Sequence, residues 1–267
     1  MSTQQTSQSL EVLHQAASGK PRTPLLFVHG AYAGAWIWQE HYLSFFAERG
    51  WPAYALSLPG HGASRGREYL DSLSIDDYVK ALRETAASLP ARPVLVGHSM
   101  GGMVVQKLLE HEDAPGVVLM AAVPPQGLLS AAVGMMFSKP HLMFELNSFM
   151  GGSSPQRDTL CEALFHGPVS AQRMHDIFIR CQPESTRALW DMSMFSLPNP
   201  ARMRRPPMLV LGAAEDQLIP VSDVENTGKA YGVTPQIFPD MGHGMMLEDN
   251  WQGPAQFIAD WLQTQGL

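Results

Sequence analysis

Basic clusters, cysteine patterns and long apolar runs are all missing from this chain, and each absence removes a class of protein. Lysine and arginine number 18 against 25 aspartates and glutamates, a formal net charge of −7, with the two signs mixed along the sequence. Nucleic-acid binding depends on clustered Lys and Arg, so no nucleic-acid partner is expected, and a mildly acidic surface serves solubility. Cysteine occurs only at Cys161 and Cys181, with no C-x-x-C pair and no histidine at metal-ligand spacing. Such sparse usage is that of a reduced compartment, and both read as buried or half-buried thiols. No apolar run approaches the ~20 residues of a membrane helix. The Ser/Thr/Gln-rich start, Met1 to Ser9, lacks the basic and apolar regions of a secretory signal. The expectation is a soluble cytoplasmic protein, monomer or homodimer, acting on a small molecule without metal or cofactor.

What is present is a substantial core: 45% of the 267 residues are hydrophobic and 16% charged, enough for one large α/β domain or two small ones. From Leu25 onward, short apolar runs alternate with amphipathic stretches, the signature of a mainly parallel sheet covered by helices. The pattern predicts strands over 25–28, 53–56, 94–96, 116–121, 208–211 and 236–238. It predicts helices over 36–49, 75–89, 100–110 and 254–263. Between 123 and 206 the rhythm changes to helical patches and Gly/Pro breakers without a buried strand. A structureless loop of that length is improbable, so a helical cap over 123–206 is expected, inserted between core segments 1–122 and 207–267.

The strongest motif is Gly97-His98-Ser99-Met100-Gly101, between an apolar strand and an apolar helix. A serine nucleophile needs a sharp strained turn to project its hydroxyl, with small residues two before and two after, where strand and helix nearly touch. The amide of Met100, at a helix start, then faces a developing oxyanion. His29-Gly30-Ala31, at the end of the first long strand, offers the amide of Ala31 as a second donor. A catalytic base suits a loop after a strand. Of ten histidines, only His243, in Asp240-Met241-Gly242-His243-Gly244, follows the last strand. His98 adjoins the serine but sits on the elbow, and sequence sets it aside. Glu215 and Asp216 follow the fifth predicted strand, and either carboxylate can orient the imidazole.

These segments, with Leu58-Pro59-Gly60-His61-Gly62-Ala63-Ser64 and Gly212 to Pro220, resemble the α/β-hydrolase superfamily over nearly the whole chain outside the cap. The resemblance implies an α/β-hydrolase fold and a Ser99–Asp216–His243 triad, because in that family the acid precedes an x-x-[VI]-P tail, here ending Ile219-Pro220. It usually has an aspartate where this chain has Ser57, a departure that touches loop anchoring. The nearest branch, through His29-Gly30-Ala31 and Gly34-Ala35-Trp36-Ile37-Trp38, is that of esterases and hydroxynitrile lyases. The lyases carry threonine at the position of Gly30 and lysine at that of Gly244, so the resemblance favours hydrolysis. Aspartate-nucleophile dehalogenases and epoxide hydrolases are excluded by Ser99.

Sixteen methionines, several of them in the expected cap, make adaptable apolar surface. An ester of small to medium size and largely apolar character is the expected substrate, in a pocket lined by Tyr32, Met136, Phe144, Trp190 and Met245. Lactone, amide or C–C cleavage and acyl transfer are alternative reactions of one triad. A receptor that binds without turnover is the alternative of another class.

Overall fold

The computed structural model describes residues 10–129 and 157–267. Seven strands form one sheet in the order β1-β3-β2-β4-β5-β6-β7, parallel except for β1 at the edge. They are β1 (Val12–Gln15), β2 (Leu25–Val28), β3 (Ala53–Leu56), β4 (Val94–His98), β5 (Val117–Met120), β6 (Met208–Ala213) and β7 (Gln236–Phe238). The central strands are apolar at consecutive positions because helices cover both faces. Along β2, Leu25 and Phe27 enter one core while Leu26 and Val28 enter the other, following the two-residue period of a strand.

On the first face, α1 (Trp36–Gln39), α2 (Tyr42–Glu48) and the C-terminal α9 (Gln252–Thr264) pack an aromatic core of Phe27, Trp38, Tyr42, Phe46 and Trp51. On the second lie α3 (Ile75–Ser88), α4 (Met100–Leu108) and α8 (Val221–Tyr231). Helix α3 starts at a reciprocal capping box between Ser74 and Asp77, which satisfies two otherwise orphaned amides. Between β5 and β6 the described residues hold α5 (Arg157–Leu164), α6 (Ala171–Phe178), α7 (Thr186–Trp190) and a π-helical turn at Asp191–Phe195.

Three local expectations are corrected. Strand β1 was not legible, and the single helix expected over 36–49 is two. The break falls at His41 (φ −133°), whose ring stacks on Trp251 at 4.5 Å, so a distant contact fixes the kink. Helix α9 starts at Gln252, two residues before Pro254.

The sheet positions the site through its connections. The chain steps from β2 outward to β3, then crosses back to β4 on the other side of β2. Loops leaving β2 and β4 therefore diverge at their C-terminal ends, where parallel α/β sheets form their ligand crevice.

Candidate active site

Ser99 stands between β4 and α4 with φ +52° and ψ −120°, a region that residues with a side chain seldom occupy. Surrounding hydrogen bonds hold it there: its amide donates to the Met120 carbonyl at 3.2 Å, and its carbonyl accepts from Gly102 at 3.0 Å and Val123 at 3.1 Å. The flanking glycines are required by contact. A Cβ on Gly97 would lie 2.6 Å from the Gly101 carbonyl oxygen, and one on Gly101 would lie 2.4 Å from that of Val28. Strand, turn and helix are thus pressed together, leaving the serine partly exposed at the sheet's C-terminal edge.

The loop after β2 meets this turn. A Cβ on Gly30 would approach the Ser99 Cβ to 2.9 Å and the His98 Nδ1 to 3.0 Å, so the backbone leading into Ala31 runs directly beside the serine. Tyr32 follows in the left-handed region (φ +63°) and is half-buried. Among the described residues, neither the Ala31 nor the Met100 amide donates to a protein acceptor. Met100 N–H stands at the positive end of α4.

Asp216 and His243 are in contact. Asp216 is buried, and its Oδ1 accepts from the amides of Leu218 and Ile219, each at 2.8 Å. This turn presents Oδ2 to the His243 Nδ1 at 2.8 Å, with the imidazole 3% exposed. Glu215 is exposed. Glycine flanks the histidine for lack of space: a Cβ on Gly242 would lie 2.8 Å from the His166 amide nitrogen, and the Gly244 amide donates to the Leu164 carbonyl at 2.7 Å. Helix α5 therefore ends against the His243 loop. Glu248 anchors the same loop, accepting from Gly242 and His166 amides at 2.8 Å each. Among the described residues the Ser99 hydroxyl makes no hydrogen bond.

Of the remaining expected pocket residues, Met245 and Trp190 fall among the described ones. Met245 has no exposed surface and belongs to the core cluster that also holds Phe165 and Met246. Trp190 is half-exposed beside Phe195, at 6.3 Å between ring centroids. Met136 and Phe144 lie outside the described residues. Cys161 and Cys181 form no disulfide with each other, and burial pushes the Cys181 thiol up to about 11. A cavity of ≈ 620 Å³ opens beside the His243 loop, lined by Phe165, Arg173, Asp240 and Glu248 among others; Ser99 is not part of its wall.

Sequence reasoning missed three side chains. His98, set aside by the sequence, has its Nε2 2.9 Å from the His243 carbonyl oxygen. Glu11 supplies the carboxylate that Ser57 lacks, its Oε2 accepting from the Ser57 hydroxyl at 2.5 Å and the Ala63 amide at 3.2 Å. Glu184, fully buried, faces His61 across 3.0 Å. Each is joined to its partner only by tertiary structure, and the sequence carries no spacing signal for such pairs. Also among the described residues, no helix is long and apolar enough to cross a membrane.

Known proteins resemble this chain in sequence or in fold. Polyneuridine aldehyde esterase from Rauvolfia serpentina is 34% identical over 42% of this chain and 44% of its own length, so the match spans less than half of that relative. A non-heme chloroperoxidase from Burkholderia pyrrocinia is 24% identical over 90% of this chain and 92% of its own. A pFDCC methylesterase from Arabidopsis thaliana is 26% identical over 74% and 79%. The solved esterase from Exiguobacterium antarcticum superposes with a TM-score of 0.74 at 16% identity, covering 95% of both chains, a likeness of fold. The family model described as "Alpha/beta hydrolase family" matches residues 25–257, nearly the whole sheet and the segments that hold Ser99, Asp216 and His243. The chain belongs to the alpha/beta hydrolase family.

Proposed function

We propose that this protein is a serine esterase working through an acyl-enzyme on Ser99. The observation that supports the reading is a serine held at φ +52° against the Gly30 backbone, with a buried His243–Asp216 pair whose His243 carbonyl oxygen lies 2.9 Å from the Nε2 of the neighbouring His98. Relatives named as esterases support the bond type.

In this reading Ser99 Oγ attacks the ester carbonyl as His243 Nε2 takes its proton. The Ala31 and Met100 amides stabilise the oxyanion, each worth roughly 3–4 kcal/mol in the transition state. His243 returns the proton to the leaving alcohol, then activates water to release the acid. Asp216 holds Nδ1 protonated, so that Nε2 is the free base. Helices after β5 act as a cap over this edge, and the substrate is a small to medium, largely apolar ester met in the cytoplasm.

Ser99→Ala should reduce hydrolysis of p-nitrophenyl butyrate by about 10⁴-fold or more with the fold intact. A fluorophosphonate should label the native protein at Ser99. Turnover retained in the folded alanine variant overturns the assignment, and a native protein that neither turns over nor labels is a binding protein instead.

A further inference from the structure

His98 occupies the variable position inside the nucleophile motif, yet it is enclosed on every side. Its Nε2 lies 2.9 Å from the carbonyl oxygen of His243, and the two rings are 4.6 Å apart at 50°. Trp38 presents an edge-on contact at 6.4 Å, and Gly30 closes the Nδ1 side, where a Cβ would come to 3.0 Å. The titratable groups that act on it are His243 and His29, one from the loop after β7 and one from the end of β2; Asp216 stands behind His243.

A carbonyl oxygen only accepts, so Nε2 carries a proton. Nδ1 is buried with no hydrogen-bond partner, and an imidazolium there would leave a charged N–H unpaired in the core. Burial first, and the neighbouring His243 second, hold the ring well below its ordinary range. His98 is thus a neutral imidazole with one proton, in one tautomer.

We infer that His98 is a positioning residue that sets the separation of nucleophile and base, by joining the residue next to Ser99 to the backbone of His243 through one Nε2–H···O bond. Asp216 fixes the His243 ring at Nδ1 and His98 fixes the same residue at its carbonyl. With both ends held, the imidazole keeps its Nε2 directed toward the serine while a proton passes between them. Neutrality is part of the device, because a charged neighbour at 4.6 Å would oppose the imidazolium that His243 becomes.

The inference rests on the reading of Ser99 and His243 given above, and its test separates the two. His98→Leu removes the donor at similar size, while His98→Gln places an amide N–H near the position of Nε2. In His98→Leu, kcat for p-nitrophenyl butyrate and the rate of fluorophosphonate labelling should both fall about 10- to 100-fold, the effect of misplacing a reacting group by about an ångström. KM should stay within about twofold, and His98→Gln should restore most of the loss. Leu and native proteins of equal rate overturn the inference, as does a folded Gln variant as slow as Leu. Should the Leu variant not fold, imidazole ¹⁵N NMR of Ser99→Ala decides: a neutral, Nε2-protonated His98 from pH 5 to 9 supports it, and an Nδ1–H tautomer or a titrating ring overturns it. Failure of the esterase reading shows differently, as a native protein that neither hydrolyses nor labels.

Discussion

A single added methyl group at position 101 measures how tightly the elbow is built. Gly101 lies in α4, where alanine is intrinsically favoured over glycine by about 1 kcal/mol. Here its Cβ would meet the carbonyl oxygens of Val28 and His29 at 2.4 and 2.5 Å. Both are backbone atoms in or next to a central strand and have no rotamer into which to retreat. Overpacking of this kind costs about 1–3 kcal/mol or more, so the clash outweighs propensity. Gly101→Ala should lower the urea midpoint and, by displacing the residues before Ala31, also lower kcat. Gly167, with nothing within 4 Å of its Cβ position, is the control: Gly167→Ala should change stability by less than about 0.5 kcal/mol. Equal midpoints for the two variants would show that the strand and helix are not in hard contact. The same reasoning explains Gly30, where a threonine would press on Ser99 and on His98.

At the scale of elements, the legible parts were those whose signal is local. Ser99 lies within a five-residue motif, and the sequence alone supports its strand, its turn and its helix. The residues alone leave Glu215 and Asp216 open, and the family resemblance picks Asp216 through Ile219-Pro220; the turn that caps its carboxylate occupies the intervening residues. Strand β1 gave no such signal: four residues at an edge, two half-buried and two exposed, show no period that separates them from a loop. Its importance lies in what precedes it. Glu11 brings a carboxylate to Ser57, whose hydroxyl also accepts from the Ala35 amide at 2.9 Å. A short hydroxyl and a distant glutamate together do the anchoring for which the family usually has one aspartate. Hydrogen bonds to a charged group contribute about 1.5–3 kcal/mol, and half-exposure of Glu11 reduces this to about 1–2. Glu11→Ala should lose that amount in chemical denaturation. Adding Ser57→Asp to Glu11→Ala should recover part of it, whereas Ser57→Asp alone should destabilise by placing two carboxylates together. A double variant no better than Glu11→Ala would sink the idea that one arrangement substitutes for the other.

At the scale of the whole molecule, one segment between β5 and β6 is joined to three core loops. The Gln182 amide donates to the Tyr32 carbonyl at 2.9 Å, and the Gln182 Oε1 accepts from the Gly62 amide at 2.7 Å. Ser185 Oγ donates to the Leu73 carbonyl at 2.5 Å, and Asp191 accepts from the Ile75 amide at 3.2 Å. Glu184 is the centre of this join: Tyr78 O–H at 2.6 Å and the Ser185 amide at 2.7 Å donate to Oε1, and His61 faces Oε2. Burial by itself would raise the Glu184 carboxyl, but His61, Tyr78 and Ser185 outweigh it and bring it below the ordinary range.

The sign of the pH effect follows from that depression. Near pH 4 the unfolded carboxyl binds more protons than the folded one, so stability rises with pH. The contribution is fully present above the ordinary carboxylate range and is lost as pH falls through the folded value. His29, beside His61 at 5.1 Å between ring centroids, adds a second acid-sensitive group. Burial first and His61 second push it down to about 3, so its contribution is lost between its unfolded value and pH 3 as acid is added. Glu184→Gln keeps an acceptor for Tyr78 and Ser185 but leaves His61 without a carboxylate. Removing the acceptor that faces a buried polar group costs about 1–3 kcal/mol, and the retained Tyr78 and Ser185 hydrogen bonds place this variant toward the lower end. Urea denaturation at intervals from pH 7 to 3 should show both proteins losing stability from about pH 6.5 downward through His29. The gap between them should hold constant to about pH 5 and then narrow, as protonation removes from the native protein what the variant already lacks. Curves that run parallel to pH 3 would mean that the Glu184 carboxylate does not hold the segment to the core through its charge.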